Sequence, residues 1–422
     1  MSARASVKAP IAVTGVGAVS ALGVGAAALL DGLRSGRCGI AAAGAEAFGL
    51  QLMAALPVYQ FDLAVQGLAL EPALAARVER LGHRAGPAQR SALLAAAEAW
   101  HQSGCLAGSE RVGVVVAGSN LDQQGAAQQF ARLAAGKPVR PSYASQFMDT
   151  DYVGLISEAL GVRGEGYAAG AASASGGVAL ALARRALLSG DVDAVLVVGA
   201  PMMLSGAEVG ALAAVGALYG GAPPAAGKFA CRPFDRSAAG FVYGQAGAAL
   251  VLERSGATPG RERAALALLA AAVMGLDANR STNPSAGGEA GAMRGALAQA
   301  GLDAGAIGLV SAHGTASVLG DQTEAQALLA VFGQHGAAAR VNMPKALLGH
   351  CLAGAGVLEA VALVLQLQHC FAHANPALED PIEASLRWVG RHAEPCGARA
   401  AMSNSFGFGG INSCQIFTLP EE

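Results

Sequence analysis

The sequence carries little charge. Asp, Glu, Lys and Arg make up 14% of its 422 residues, against roughly a quarter in an average domain. Aromatic residues are also sparse, at 5%. No excess of one sign exists: 28 Lys and Arg against 30 Asp and Glu leave a formal charge of −2, so a nucleic-acid footprint is excluded. A disordered chain is excluded too, because such chains are polar and charge-rich and 53% of this one is hydrophobic. Paired cysteines are missing. Cys38, Cys105, Cys231, Cys351, Cys370, Cys396 and Cys414 are scattered, odd in number and never spaced C-x-x-C. That is the pattern of reduced core thiols, not of a disulfide framework or a zinc site. One stretch alone, Ile11 to Leu30, is uncharged and apolar enough to attract a membrane window, and Gly15, Gly17, Gly23 and Gly25 within it weaken any single helix. No A-x-A cleavage site is set off from that run. The expectations are therefore no membrane span, no export signal, no bound metal and a cytoplasmic location. What remains is a large apolar mass with 58 glycines, which needs a large core or a face hidden in an oligomer.

Strand-like runs alternate with Ala/Leu-rich helical runs. Strands are expected at Ile11–Thr14, Val112–Ala117, Ala194–Val198, Ala248–Leu252, Ile307–Ala312 and Gln415–Thr418. Helices are expected at Arg90–Gln102, Val178–Ser189, Gly291–Ala300, Asp321–Val331 and Val357–His369. This alternation predicts an α/β fold with helix-covered sheets. Val178–Ser189 and Val357–His369 are the most apolar helices and fall in different halves, each after a Gly/Ala-rich turn. A duplicated α/β unit is implied, residues 1–255 and 256–422, with a break near Ser255–Arg261. The opening IAVTGVGAVSALG reads as a short strand, a glycine turn and a helix start. Gly15-Val16-Gly17 begins like a dinucleotide fingerprint, but Ser20 stands at the third glycine position and no acid closes the unit. A tight turn is the better reading, and no cofactor is expected.

Three segments carry chemistry. In GAASASGG, Ser173 sits where a turn enters a buried helix. Small neighbours leave room for a substrate, and the helix N-terminus offers N–H groups and partial positive charge to an oxyanion. In SAHGTASVLGDQTEAQAL, His313 follows a buried strand, and Asp321 and Glu324 open a helix. In MPKALLGHCLAGAGVLEA, Lys345 and His350 precede a second buried helix. A lone histidine is usually structural. Two histidines in Gly-flanked turns, with a lysine five residues before the second, point to catalysis.

With these segments the chain resembles the β-ketoacyl-acyl-carrier-protein synthases, the ketosynthases of fatty-acid and polyketide assembly. VTGVGAVSALG, RPFDRSAAGFVYGQAGAALVLE and NSFGFGGINS extend the likeness end to end. The resemblance implies the thiolase fold, two α/β halves in a five-layered αβαβα core, normally dimeric. It places the nucleophile at Ser173, the catalytic histidines at His313 and His350, and the characteristic lysine and its paired acid at Lys345 and Glu324. Thr315 and Ser317 match positions that hold the pantetheine arm. Phe408 matches the gating phenylalanine, whose N–H would form an oxyanion hole with that of Ser173. Ala239 and Gln245 replace acids usual in the family.

The main departure is the missing thiol. Ketosynthases carry cysteine where this chain has Ser173. An alcohol stays neutral where a thiol, starting near a pKa of about 8.5, is readily ionised. A serine nucleophile needs a general base in reach, and the resemblance implies histidines aimed at the extender thioester instead. Acylation, and with it condensation, should be slow or absent. Loss of carbon dioxide from a malonyl thioester needs only donors at the developing enolate oxygen, which His313 and His350 can supply. GEGYAAGAASASGG, VSAHGTASVLGDQTEA and VNMPKALLGHCLAGAGVLEA resemble the serine-bearing ketosynthase-like decarboxylases of polyketide β-branching cassettes. That resemblance implies turnover of malonyl- to acetyl-acyl-carrier protein, no cofactor beyond the carrier's own arm, and passage of the acetyl unit to a hydroxymethylglutaryl-synthase-like enzyme. Three alternatives stay open at this point. One is a condensing or acyl-transferring synthase using Ser173. Another is a synthase with an engineered Cys→Ser exchange. The last is a non-catalytic partner subunit of a ketosynthase heterodimer, which retention of both histidines disfavours.

Overall fold

A computed structural model describes residues 10–44, 48–104, 110–225, 229–254, 264–333 and 338–421. The expected break near Ser255–Arg261 lies outside the described residues. The main strands are β1 (Ile11–Ser20), β2 (Val112–Ala117), β3 (Gly166–Ala169), β4 (Ala194–Gly199) and β5 (Gly247–Arg254). They are followed by β6 (Ala267–Leu276), β7 (Leu309–Ser311), β8 (Arg340–Asn342), β9 (Arg387–Trp388), β10 (Ala400–Gly407) and β11 (Ile411–Thr418).

Their order across the sheet is β9-β8-β7-β10-β11-β6-β1-β5-β4-β2-β3. Each side repeats one plan. Counting outward from the centre, both halves run first, fifth, fourth, second, third strand, with β9 added at one edge. The first strand is antiparallel to the fifth and the fifth to the fourth, and the rest are parallel. Among the described residues the two half-sheets pair through Ala12 with Leu268 and Val13 with Ala267. The sheet is therefore two duplicated sheets joined at a narrow seam.

Helices complete the layers. Outside the first half lie α1 (Pro87–Ser103) and α2 (Thr150–Leu160); α3 (Ser175–Ser189) is central. Outside the second half lie α4 (Ala286–Ala300) and α5 (Val318–Phe332); α6 (Ala355–Gln368) is central. Both central helices pack against strands of both halves and against each other. This is the five-layered αβαβα thiolase fold. Thirteen of fourteen α6 residues, Ala355 through Leu367, are buried, so the low charged share reflects a helix layer with no wet face. Where α3 and α6 cross, only glycine fits. A Cβ on Gly176 would lie 2.5 Å from Val357 N, and one on Gly356 would lie 2.9 Å from Gly177 N.

Two expectations need correction. The first is the glycine turn at Gly15 and Gly17: β1 continues through both to Ser20, with only a register shift between Val13 and Gly15. A Cβ on Gly15 would lie 2.0 Å from Ala99 O, and one on Gly17 2.1 Å from Ala95 O. These glycines let α1 lie directly on the strand, and the next helix begins only at Ala26. The second is that β6 and β10 were not expected as strands. The β6 sequence, ALLAAAVMGL, favours helix by composition. It pairs with β11 along most of its length, so tertiary pairing overrides propensity. Among the described residues no helix is long and apolar enough to cross a membrane, and six described cysteines are free thiols.

Candidate active site

Ser173 stands in a 3₁₀ turn, Ala172–Ala174, directly before α3. Ala172 is left-handed at φ 48°, a conformation costing about 1–2 kcal/mol for a residue with a Cβ. Ser175 Oγ holds the turn, accepting from Ala171 N at 2.8 Å and donating to Ala172 O at 2.6 Å. The end of β10 closes against it: a Cβ on Gly407 would meet Ala171 O at 2.7 Å. The half-buried Ser173 side chain thus faces the cavity with a helix N-terminus behind it.

His313 follows β7 on a loop pinned from α5. Glu324 accepts from His313 N and Gly314 N, both at 2.8 Å, and from Asn404 Nδ2 at 3.1 Å. Asp321 accepts from Thr315 N at 3.0 Å and Phe234 N at 2.6 Å. His350 is fixed through its backbone N–H to Val242 O at 2.7 Å. Its ring stands edge-on to Phe241 and to His313, with centroid separations of 5.0 and 5.6 Å. Its Nε2 lies 2.9 Å from Ser173 Oγ. The serine therefore does have a histidine within hydrogen-bond reach, which the sequence reading placed elsewhere.

Lys345 is 1% exposed. Its Nζ donates to the His313 carbonyl and lies 3.4 Å from His313 Nδ1. The acid it pairs with is Glu359 of α6, not Glu324 as the resemblance implied. Glu324 spends its oxygens on backbone N–H groups of the His313 loop, while Glu359 has no side-chain bond besides the one from Lys345 among the described residues. The sequence signal for Glu359 was present: the one charged residue in AGVLEAVALVLQLQ, a buried helix, needs a cation.

Electrostatics follow from burial. Desolvation, then Lys345, pushes the His350 pKa well below its ordinary value; His313 is lowered by the same two causes and by His350. Both rings are neutral at physiological pH. Desolvation raises Glu359 to about 7 against the opposing pull of Lys345, and Asp321 is likewise raised to about 7. Glu289 in the cavity wall is raised by burial and by Glu324, Asp277 and Asp321.

Ser173, His313, His350 and Glu324 line one cavity of about 790 Å³, together with Thr315, Ser317 and the exposed Phe408. Lys345 stands behind the histidines and does not line it. Among its described lining residues none is a cysteine, a lysine or an arginine. Cys351, next to His350, is buried and its thiol is pushed up to about 12. Thr315 Oγ1 accepts from Ser317 N at 3.3 Å, and Ser317 Oγ caps α5 by accepting from Gly320 N at 3.4 Å. Each hydroxyl hydrogen stays available to a ligand entering past them. Among the described residues no group of His, Cys, Asp and Glu has the arrangement of a metal site.

Comparison with known proteins agrees with this geometry. The model of the β-ketoacyl synthase N-terminal domain matches residues 8–257, and that of the C-terminal domain matches residues 264–379. A polyketide biosynthesis malonyl-ACP decarboxylase of Bacillus subtilis (strain 168), PksF, is 36% identical over 341 residues, 79% of this chain and 80% of that protein. A 3-oxoacyl-[acyl-carrier-protein] synthase 2 of Coxiella burnetii is 28% identical over 423 residues, covering 97% of this chain and 98% of that one. The crystal structure of a β-ketoacyl synthase from Burkholderia phymatum superposes with a TM-score of 0.83 at 26% identity, over 98% of this chain and 100% of that one.

Proposed function

The chain belongs to the β-ketoacyl synthase family, and from that premise we propose that it removes carbon dioxide from a malonyl group on an acyl carrier protein to leave acetyl-carrier protein. The observation that carries this reading is a ketosynthase-type cavity with an oxygen, Ser173 Oγ, and no thiol where an acyl chain would be loaded. The 36% identity to a malonyl-ACP decarboxylase supports it.

The histidine pair fits the reaction. A lysine ammonium only donates, so Lys345 beside His313 Nδ1 leaves the ring hydrogen on Nε2. A neutral His313 then offers Nε2–H to the thioester oxygen as it becomes an enolate oxygen, and His350 adds a second donor from 5.6 Å away, ring to ring. Donors set at the atom that gains charge lower the barrier. The cation-free cavity wall leaves the departing carboxylate without an ion pair that would stabilise the ground state.

The substrate arrives on a phosphopantetheine arm held along Thr315 and Ser317, with Phe408 at the cavity mouth. The working unit is a dimer, and the acetyl product serves β-branching in polyketide assembly through a hydroxymethylglutaryl-synthase-like enzyme. Incubation with malonyl-carrier protein, followed by intact mass, tests the reading. The carrier should fall to the acetyl mass while the enzyme mass stays constant. A stable acyl adduct on Ser173 would instead establish a covalent acyl-transfer enzyme, and no change in either protein would indicate a partner subunit.

A further inference from the structure

The meaning of the Ser173–His350 contact depends on which ring nitrogen carries the hydrogen. His350 Nδ1 is buried with no hydrogen-bond partner among the described residues. A hydrogen there would be an unpaired buried donor, costing about 1–3 kcal/mol. A hydrogen on Nε2 is used at once by Ser173 Oγ, 2.9 Å away. The ring is therefore the Nε2–H tautomer, with Ser173 Oγ as the acceptor. Two consequences follow. His350 presents no lone pair to the serine, so it cannot act as the general base that a serine nucleophile needs. The serine's own hydrogen is left free, and the cavity is the open direction for it.

We infer that Ser173 is the proton donor that quenches the carbanion, a role that rests on the decarboxylation proposed above. The His350 Nε2–H is shared between Ser173 Oγ and the enolate oxygen, a three-centre bond of an ordinary kind. The substrate α-carbon is two bonds from that oxygen, which brings it to the serine hydroxyl. The bond between the α-carbon and the carboxylate breaks, carbon dioxide leaves, and the electron pair stays on the enolate. The α-carbon takes the Ser173 hydroxyl hydrogen and becomes a methyl group. The resulting alkoxide, held by His350 Nε2–H, is reprotonated by solvent water, so one solvent proton is consumed per carbon dioxide released. A thioester carbanion is far more basic than an alkoxide, so this transfer is downhill and follows the slow carbon–carbon cleavage. The serine is an active donor and not a bystander.

A fixed donor delivers its proton to one face, and this is the measurement. Malonyl-carrier protein with one deuterium and one protium in a single configuration at the α-carbon, prepared enzymatically and used before that centre exchanges, is turned over in tritiated water. The configuration of the chiral methyl group in the released acetate is then read. The native enzyme should give one configuration in large excess. Ser173→Ala should give both equally while carbon dioxide release falls by less than about tenfold, since the lost step is not rate-limiting. Ser173→Thr, which keeps a hydroxyl, should restore the single configuration. Equal amounts from the native enzyme would overturn the inference, as would an Ala variant as stereospecific as the native protein. Failure of the native enzyme to release carbon dioxide at all would overturn the proposed function instead, so the two failures are distinguishable.

Discussion

Ala172 and Leu352 are both left-handed, at φ 48° and 51°. Each opens a 3₁₀ turn, Ala172–Ala174 and Leu352–Gly354, that runs into a central helix. The backbone is the same in the two halves, but its use differs. After Ala172 comes Ser173, half-buried and facing the cavity. After Leu352 comes Ala353, 2% exposed and packed in the core. The second half offers its chemistry just before the turn, at His350, and beneath it, at the buried Lys345–Glu359 pair. The first half's helix α3 has no acid and carries Arg184, which donates to Ala270 O at 3.1 Å. Duplication thus supplied two equal strained turns. One carries the hydroxyl proposed as the proton donor, and the other is preceded by His350 and the buried Lys345–Glu359 pair.

The largest effects should fall on the donors. His313→Ala is expected to lower single-turnover acetyl-carrier formation by about 10²–10³, the usual loss for one oxyanion donor, and His350→Ala by a similar factor. A loss below about tenfold, matching Ser173→Ala, would erase the distinction between the two halves.

Next comes the buried pair. Lys345→Met strands Glu359 and should cost about 3–5 kcal/mol in urea unfolding, most of it recovered in Lys345→Met/Glu359→Leu. Arg184→Met in the first half's helix should cost only about 1 kcal/mol. Comparable losses would show that the charge asymmetry between the helices has no energetic weight.

The crossing should treat the halves alike. A methyl on Gly176 or Gly356 meets backbone at 2.5 and 2.9 Å, so each Gly→Ala change should destabilise by about 1–3 kcal/mol, read by the shift in denaturation midpoint. A neutral Gly176→Ala would mean the helices can slide apart.

The smallest effect is one of pH. Both histidines are held well below their ordinary pKa by burial and Lys345. They stay neutral as pH falls past the usual histidine range, so histidine protonation should cause no acid-side loss of kcat/KM, and any inflection near about 7 should belong to Asp321 or Glu359 and vanish in Asp321→Asn or Glu359→Gln. Lys345→Met, where it folds, removes one lowering cause and should move the histidine inflection upward, while burial, the larger cause, still holds it below the ordinary value.

Much of this was legible before any fold was known. Strand–helix alternation gave the α/β class, and the segments around Ser173, His313 and His350 gave the family and the place of the cavity. The errors have physical causes. Gly15 and Gly17 look like a turn in sequence because glycine breaks structure, yet here they make room for the Ala95 and Ala99 carbonyls of α1. Glu324 looked like the partner of Lys345 because it shares a segment with His313, but its oxygens are taken by backbone N–H groups.

By itself, the order of residues determined the α/β alternation and the nearly balanced charge, and its motifs carried the resemblance that implied the layered fold and a hydroxyl at residue 173 where the family has a thiol. Those are matters of composition and local pattern, which need no distant neighbour to be read. The contact between that hydroxyl and His350 joins residues 177 positions apart. Only the packing of α3 against α6 brings them together, and only burial of His350 Nδ1 decides which way the hydrogen bond between them runs.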